Sequence, residues 1–573
     1  MAESATHVRM VRRFVPGVDS VRGYHREWLS HDLIAGLVLS SLLVPQGMAY
    51  AELAGLPAIT GLYTSILCLL AYATFGPSRV LVLGPDSSLG PMIAATILPL
   101  IGAKGDPARA VALASMLALI VGAINVLIGI AKLGFIADLL SKPTQIGYLT
   151  GLALTIVVGQ LPKLFGFSVE GSGLLHEARG FVSGLADGKA VPAAVFIGLA
   201  SLVLILALSR LVPKFPVLLL TVFLSIAAVS IFNLAEHGVK VVGVLPKGLP
   251  PFGIPHVSLS DFPALLAGAA GIALVAVTDT ISTSSAFAGK RGVQVRSNQE
   301  MIGIGAANLA AGLFHGFAVS TSGSRSAVAD RAGARTQLTG VVGAAMITLM
   351  LVLVPGLLRN LAQPTLAAVV ITASLSLADV AGMRRLWHLR RVEFAVSLTA
   401  FLGVALLGVL PGIAIAVGLS ILNVFRRAWW PYETVLGHVE GIPGYHDIRS
   451  YPEADQPDGV VVYRFDAPLI FANTRTFSGQ IREIARHDPQ PDCIVLASAS
   501  ISDVDTTAAD MLSGLMRELD DRGIALVFAE LKDPVRDKIE RYEEATVLAP
   551  GHFYPTVEAA VAAYASNHNH NHS

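Results

Sequence analysis

Small hydroxyl residues, glycine and one arginine are concentrated in the segment VSTSGSRSAV, residues 319–328. Residues 320–323 are suited to the start of a half-helix, because glycine lets a ligand approach the backbone and the first N–H groups of a helix have no partner within it. Such groups lie at the positive end of the helix dipole and bind anions. Arg325 would add a positive charge within the first turn, so the segment predicts an anion site. Alternatively, Arg325 lies in a cytoplasmic loop or at a helix end with its head group in water.

A second segment, LGPDSSLGPMIAA at residues 83–95, has the same character. Two glycines and a proline interrupt its apolar run, while Asp86, Ser87 and Ser88 supply a capping carboxylate and hydroxyls. Short segments interrupted by glycine or proline are typical of discontinuous membrane helices. If the two segments are counterparts in an inverted repeat of seven plus seven spans, their N-termini face each other near the midplane and direct free N–H groups at one point.

A carboxylate and a hydroxyl occur one helical turn apart in the apolar segment GIALVAVTDTISTSSAFAGK. Asp279 and Thr283 are four residues apart, so both project from the same helix face. A charged group within a span is energetically costly and is interpreted as functional by default. A carboxylate with a neighbouring hydroxyl suits Na⁺, and a buried carboxylate can instead carry a proton. The pair therefore predicts a coupling-ion site for Na⁺ or H⁺; the alternative is a structural hydrogen-bonded pair.

Gln46, in the segment LVPQGMAYA, is a further polar residue at membrane depth. It could line the same cavity as the anion. It could equally satisfy the backbone groups that Pro45 leaves without a partner.

The elements that position these residues are predicted to be membrane spans. The chain has 573 residues, of which 53% are hydrophobic and 14% are charged, with a mean hydropathy of +0.63. Soluble domains carry about 25% charged residues, so the composition excludes a simple cytosolic protein. Runs such as LVLSSLLVPQGMAYAELAGL are long enough to cross a hydrocarbon core of about 30 Å. About fourteen apolar segments start near residues 32, 60, 86, 108, 142, 191, 216, 262, 298, 323, 337, 364, 392 and 411.

Lysine and arginine are unevenly distributed between the predicted loops. If the N-terminus is cytoplasmic, the short outer loops after segments 1, 9 and 13 contain neither residue, as the positive-inside rule requires. We therefore expect an even number of spans with both ends cytoplasmic. The predicted inner loops contain Arg79, Lys132, Lys142, Arg210, Lys214, Lys290, Arg291, Arg296, Arg331, Arg335, Arg384, Arg385, Arg390 and Arg391.

The composition changes sharply after Arg427, where a polar segment rich in proline and glycine begins. Short β-type runs, GVVVYRF, DCIVLASAS and IALVFAEL, then alternate with amphipathic helical stretches, which predicts a small soluble α/β domain. The predicted organisation is a cytoplasmic N-terminal segment (1–31), a transmembrane domain (32–428), a cytoplasmic α/β domain (433–565) and a disordered tail (566–573).

Other features exclude further classes of function. Cys68 and Cys493 are too far apart in the sequence to predict a disulfide framework or a metal cluster. A net charge of zero and a pI of about 7.3 argue against a nucleic-acid partner. The N-terminus lacks the short apolar run and cleavage site of a signal peptide, so we expect no cleaved leader.

The motifs together resemble the sulfate permease (SulP) family. The matching stretches are VPQGMAYAELAGLPAITGLYTSI followed by FGPSR, then VTDTISTSSAFAGKRGVQVRSNQEMIGIGAANLAAGLF, then SGSRSAVADRAGARTQLTG. The resemblance extends over nearly the whole chain. The family includes bacterial and plant sulfate transporters, a cyanobacterial Na⁺-dependent bicarbonate transporter, and the animal anion exchangers with prestin.

The resemblance implies a 7+7 inverted repeat with core and gate domains, a dimer, elevator-type alternating access and a C-terminal STAS domain. It also implies a Na⁺ site at Asp279 and Thr283, as in the bicarbonate branch. The segment SGSRS differs from that branch, because it carries an arginine as many sulfate-type and animal members do. The anion site implied by the resemblance consists of Gln46, Ser87, Ser88, Ser322, Gly323, Ser324 and Arg325.

The segment SDVDTTAADML, residues 502–512, is similar to the STAS motif in which anti-sigma-factor antagonists carry a phosphorylatable serine. Thr506 or Thr507 occupies that region here, and a phosphate at a helix N-terminus is electrostatically favourable. The alternative is that Asp505 or Thr506 simply caps the following helix.

The sequence thus predicts a secondary active transporter for small inorganic anions, and no enzyme. Sulfate is the expected anion, in symport with H⁺ or Na⁺; bicarbonate, a dicarboxylate and anion exchange are the alternatives. A membrane-tethered scaffold whose STAS domain recruits partners is the rival class. We expect no cofactor beyond the coupling ion. The expected partners are the anion, membrane lipid, a second copy in a homodimer and a cytoplasmic protein at the STAS domain, and the expected location is the cell membrane.

Overall fold

The computed structural model describes residues 15–101, 105–135, 140–169, 173–212, 216–542 and 550–571. The chain divides into two compact units, Met1–Ser420 and Ile421–Ser573. Lys214, one of the predicted inner-loop cations, lies outside the described residues.

The first half of the membrane unit contains seven spans after a short helix, Gly17–Arg22. One further helix, α6, is amphipathic and separates the fifth span from the sixth. The helices are α1 (Leu29–Leu53), α2 (Ala58–Phe75), α3 (Gly90–Ile101), α4 (Pro107–Ile130), α5 (Lys142–Leu164), α6 (Leu174–Ala186), α7 (Pro192–Leu211) and α8 (Val217–Ile231).

The second half also has seven spans and one additional helix, α14, which separates its fifth span from its sixth as α6 does in the first half. A π-helical turn, Gly403–Leu407, follows the thirteenth span. The helices are α9 (Phe262–Arg291), α10 (Ser297–Leu313), α11 (Gly323–Arg331), α12 (Leu338–Leu353), α13 (Gln363–Leu375), α14 (Val380–Leu389), α15 (Arg391–Leu402) and α16 (Val409–Trp429).

Each of the fourteen predicted segments corresponds to one of these helices. Among the described residues, eight helical stretches are long and apolar enough to cross a bilayer, and three shorter helices are also apolar. In each half the third span is a short helix that follows a two-residue strand, β1 (Leu83–Gly84) before α3 and β2 (Ser320–Thr321) before α11. The repeated order and the antiparallel pairing of β1 with β2 confirm the predicted fold class.

The spans pack in two bundles. Helices α1–α4 pack with α9–α12 and form the core bundle, whereas α5, α7 and α8 pack with α13 and α15 and form the gate bundle. Small residues permit close helix approach, as is typical of membrane proteins. A Cβ on Gly61 of α2, for example, would overlap the carbonyl oxygen of Gly47 on α1.

The second unit is a six-stranded sheet with helices on both faces. Its elements are β3 (Glu433–Val439), β4 (Ile442–Asp447), β5 (Val460–Phe465), α17 (Thr474–Ile484), β6 (Cys493–Ala497), α18 (Thr506–Asp520), β7 (Ala525–Ala529), α19 (Asp533–Arg541), β8 (Phe553–Tyr554) and α20 (Val557–Asn571). The strand order is β4-β3-β5-β6-β7-β8, with β5 to β8 parallel. Phe477, Leu512 and Ile539 cover one face and Val557 covers the other, which is the predicted α/β architecture.

Strands β3 and β4 form a hairpin within the segment that the sequence analysis described only as polar. Gly441 supplies the turn with a φ of 81°. Thr434 Oγ1 donates to Asp447 Oδ1 at 2.6 Å, and Tyr432 Oη donates to the same carboxylate. These hydrogen bonds lower the pKa of Asp447 to about 2, so the carboxylate that fixes the hairpin is ionised near neutral pH.

The last helix, α20, extends from Val557 to Asn571 and begins in the alanine-rich run VEAAVAAYAS, alanine being the best helix former. Disorder from residue 566 stays a prediction. Residues 572 and 573 lie outside the described part of the chain.

Candidate anion-binding site

Strands β1 and β2 join the starts of the two half-helices α3 and α11. Their pairs are Leu83 with Thr321 and Gly84 with Ser320. Ser322 N donates to Val82 O at 3.1 Å, and Val82 N donates to Ser326 Oγ at 2.9 Å. These bonds satisfy backbone groups at membrane depth, where water cannot. The two half-helices therefore begin beside each other, as the inverted repeat predicts.

A buried amide, Asn308 of α10, holds the backbone that leads into β2. Asn308 Oδ1 accepts from Val319 N at 2.9 Å, and Asn308 Nδ2 donates to Val319 O at 3.2 Å. The same Nδ2 donates to Ile304 O at 2.9 Å. Asn308 is not predictable from the sequence, because a single amide in an apolar helix carries no local pattern.

We expect Asn308→Ala to lower the free energy of unfolding by about 1–3 kcal/mol, because Val319 loses both partners in a site without water. Thermal unfolding in detergent measures the change, and the affinity for the anion should fall in the same variant. Asn360→Ala is the matched control, since Asn360 Nδ2 donates at 2.8 Å to Ser230 near the surface. Equal losses in both variants would contradict the role assigned to Asn308.

The start of α11 is open to solvent. Ser322 caps the helix, since its Oγ accepts from Arg325 N at 3.4 Å and lies 3.1 Å from Ser324 Oγ. Gly323 and Ser324 are exposed. The N–H groups of Gly323 and Ser324, which have no acceptor within the helix, therefore belong to exposed residues at the predicted anion position.

The start of α3 is fixed by its own carboxylate. Asp86 Oδ1 accepts from Ser88 N at 3.0 Å and from Ser88 Oγ at 2.9 Å, which is the predicted capping arrangement. The cap places a negative charge beside the anion site.

Arg325 is buried beneath the two half-helices, with 1% of its surface exposed. Its Nη1 donates to Pro85 O at 2.5 Å, and its Nη2 lies 3.6 Å from Asp86 Oδ2. Arg325 is not among the described residues that line the cavity next to α11. Pro85 O and the Asp86 carboxylate hold the guanidinium beside the cavity wall, and a direct contact with the anion stays a prediction. The burial of Arg325 excludes the alternative of a head group in water.

A cavity of about 710 Å³ lies between the core bundle and the gate bundle, within the range of about 300–1,000 Å³ typical of small-molecule sites. Gln46 lines this cavity, and its contact with the anion stays a prediction. Tyr50 and Ser282 also line it and were not assigned from the sequence. The predicted site residues on its wall are Gln46, Ser87, Ser88, Asp279, Thr283, Ser322, Gly323 and Ser324.

Asp279 of α9 lies beside the start of α3. Ser88 Oγ is 3.3 Å from Asp279 Oδ2, and Thr283 lines the cavity one turn further along α9. Thr280 Oγ1 bonds to Thr321 Oγ1 at 2.9 Å, so α9 is tied to β2 as well. Carboxylate and hydroxyl oxygens therefore meet where the coupling ion was predicted.

Thr506 and Thr507 begin α18 of the second unit and are exposed. Asp505 provides the cap, since its Oδ1 accepts from Ala508 N at 2.8 Å and its Oδ2 accepts from Phe471 N at 2.7 Å. Of the two capping residues considered, Asp505 rather than Thr506 caps α18. Both threonine hydroxyls stay accessible, and their phosphorylation stays a prediction.

Asp505→Ala is expected to destabilise α18 by about 0.5–2 kcal/mol, because the first turn loses its acceptor. Hydrogen exchange of the α18 amides in the full chain measures this. Asp510→Ala, on an exposed face of the same helix, should leave exchange nearly unchanged; comparable protection in both variants would contradict the cap.

Comparisons with known proteins agree with this geometry. The profile described as "Sulfate permease family" matches residues 29–400, and the "STAS domain" profile matches residues 451–560. The chain is 41% identical over 552 residues to a probable sulfate transporter of Mycobacterium tuberculosis, covering 96% of this chain and 98% of that protein. It is 30% identical over 590 residues to probable sulfate transporter 3.3 of Arabidopsis thaliana, covering 97% and 91%.

The fold is similar to the overall structure of SLC26A9, with a TM-score of 0.90 at 22% identity, over 99% of this chain and 95% of that chain. The permease profile alone matches more than half of the sequence. Paired half-helices, a cavity between two bundles and a C-terminal α/β unit are what the motifs led us to expect. The chain therefore belongs to the sulfate permease family, whose members are membrane transporters and not enzymes.

Proposed function

We propose that the chain is a secondary active transporter of a small inorganic oxyanion, with sulfate as the first candidate. The observation that carries this proposal is the pair of half-helix starts, bridged by β1 and β2, that open onto one cavity through Ser87, Ser88, Gly323 and Ser324. Free N–H groups and hydroxyls donate to oxyanions. The names of the two relatives support sulfate.

The division of the cavity wall between the core bundle and the gate bundle fits elevator-type alternating access. The predicted anion ligands all belong to the core bundle, whereas apolar residues such as Leu149, Ile205 and Val369 of the gate bundle form the opposite wall. Gln145, Pro216 and Ser376 line the cavity near helix ends that are predicted to be cytoplasmic. The cavity accordingly opens to the cytoplasm, and movement of the core bundle along the gate bundle would carry the anion across.

A charge count supports co-transport of a cation. Asp86 and Asp279 contribute two negative charges and Arg325 contributes one positive charge, which leaves one net negative charge when Asp279 is ionised. A net negative charge repels an anion. A proton or Na⁺ at Asp279 brings the net charge to zero, so anion and cation bind more tightly together than separately. Symport through Asp279 follows, with Thr283 as a further oxygen ligand when the cation is Na⁺.

Uptake into proteoliposomes tests the transport function. Labelled sulfate, bicarbonate and a dicarboxylate are each offered with and without Na⁺ and with and without a pH gradient. We expect saturable sulfate uptake that a Na⁺ or proton gradient accelerates. Uptake of bicarbonate or a dicarboxylate alone would replace sulfate as the substrate, and uptake that needs an internal anion would indicate exchange. A folded protein without any anion flux would contradict the proposal.

The remaining parts of the proposal concern assembly and location. We place the chain in the cell membrane with both termini cytoplasmic, as a homodimer. The second unit would then be available to a cytoplasmic protein partner.

A further inference from the structure

A second cavity of about 710 Å³ lies within the membrane unit, where α9 ends and α10 begins. Four arginines from separate parts of the sequence line it. Arg79 precedes β1, Arg291 and Arg296 flank the loop between α9 and α10, and Arg335 follows α11. Trp28, immediately before α1, lines the same cavity.

The cavity carries uncompensated positive charge. Glu300 is its only lining carboxylate among the described residues, and Glu300 is 1% exposed. Tyr72 Oη donates to Glu300 Oε2 at 2.7 Å, and Ser78 Oγ donates to Oε1, so this carboxylate is already engaged. Glu300 interacts with the charge of Arg296, but a single carboxylate cannot balance four arginines.

Three of the four guanidinium groups are also unpaired. Arg291 Nη2 lies 2.6 Å from Asp330 Oδ1. Arg79, Arg296 and Arg335 are exposed and form no ion pair with any residue that the structure describes. The positive-inside rule explains arginines in cytoplasmic loops, but it does not require them to converge on one concave surface.

We propose that this cavity binds the phosphate group of an anionic phospholipid. Guanidinium groups bind phosphate oxygens in a bidentate manner, and basic pockets between membrane helices take anionic headgroups. Trp28 marks the headgroup depth, because tryptophan concentrates at the membrane interface. Further along α1, Leu33, Ile34 and Leu37 are 42–57% exposed, so apolar side chains that acyl chains can contact follow Trp28 on the same helix.

Native mass spectrometry of the full chain tests this with short-chain phosphatidic acid, phosphatidylcholine and inorganic phosphate as probes. We expect phosphatidic acid to bind more tightly than either other probe. The double variant Arg79→Gln and Arg296→Gln should weaken phosphatidic acid binding by about 25-fold, roughly fivefold for each arginine near the surface. Neither guanidinium bonds to other described residues, so folding should be retained, which size-exclusion chromatography and thermal unfolding check.

The matched control is Arg384→Gln with Arg385→Gln, which removes two exposed arginines from α14 and leaves the cavity intact. Its affinity for phosphatidic acid should equal that of the unmodified chain. If both double variants weakened phosphatidic acid binding equally, the effect would be non-specific electrostatic attraction, and the proposed site would be overturned. Equal affinity for inorganic phosphate and phosphatidic acid would overturn the lipid assignment, and unchanged binding in the first variant would overturn the proposal as a whole.

Discussion

Replacement of Asp279 by asparagine is expected to make anion binding independent of Na⁺ and of pH. The amide carries no charge, so Asp86 and Arg325 alone set the charge beside the half-helices and the net charge stays at zero. In the unmodified chain, the cation should raise the affinity for the anion by the roughly 5–150-fold that is typical of coupling between two sites. Equilibrium binding of labelled sulfate at several Na⁺ concentrations and pH values measures the difference.

The same variant should lose concentrative uptake in proteoliposomes and keep the exchange of internal for external anion, because exchange needs no net movement of the cation. Asp330→Asn is the matched control. It removes a carboxylate of the core bundle that pairs with Arg291 and does not line the cavity between the core and gate bundles. Should Asp279→Asn still concentrate its anion under an ion gradient, the coupling site would lie elsewhere.

The second large effect is expected for Arg325→Ala, which should lower the free energy of unfolding by about 3–5 kcal/mol. The substitution leaves the Asp86 carboxylate, 14% exposed, without its cationic partner in a low-dielectric site. The affinity for the anion should fall as well, because the local charge becomes more negative by one unit. Thermal unfolding and sulfate binding measure the two consequences separately.

A double variant distinguishes charge balance from specific contacts. Arg325→Ala combined with Asp86→Ala removes one charge of each sign, so the net charge returns to that of the unmodified chain and stability should largely recover. Recovery of sulfate affinity in the same protein would show that Arg325 acts through its charge. Unchanged stability and affinity in the single variant would remove Arg325 from both roles.

The positions of the spans could be predicted because length and hydropathy are local properties. Crossing a bilayer needs about 20 apolar residues, and each predicted segment has that signal or a glycine-interrupted part of it. The two half-helices could be predicted for a related reason. Gly84, Pro85 and Gly323 interrupt apolar runs, and the hydroxyl residues beside them are suited to cap a helix or to bind a ligand.

The orientation of Arg325 could not be predicted, because it depends on a residue that is distant in the chain. Its acceptor, Pro85 O, is 240 positions away, and only the pairing of β1 with β2 brings the two together. Asn308 was missed because a single amide in an apolar helix carries no local pattern, although its partner Val319 is only eleven residues further along the chain. The β3–β4 hairpin did leave a local signal, a Glu440–Gly441 turn between strand-like residues, but surrounding prolines and glycines obscured it.

Because β1 pairs with β2, each half of the membrane unit needs the other half to complete its backbone hydrogen bonds. Each strand is two residues long and finds its ladder partner in the opposite half. A half by itself would expose unsatisfied N–H and C=O groups of Leu83 and Gly84, or of Ser320 and Thr321, at membrane depth, a cost of several kcal/mol for each group. Neither repeat can thus complete its own fold. The binding site and the joining of the two repeats therefore depend on the same short ladder.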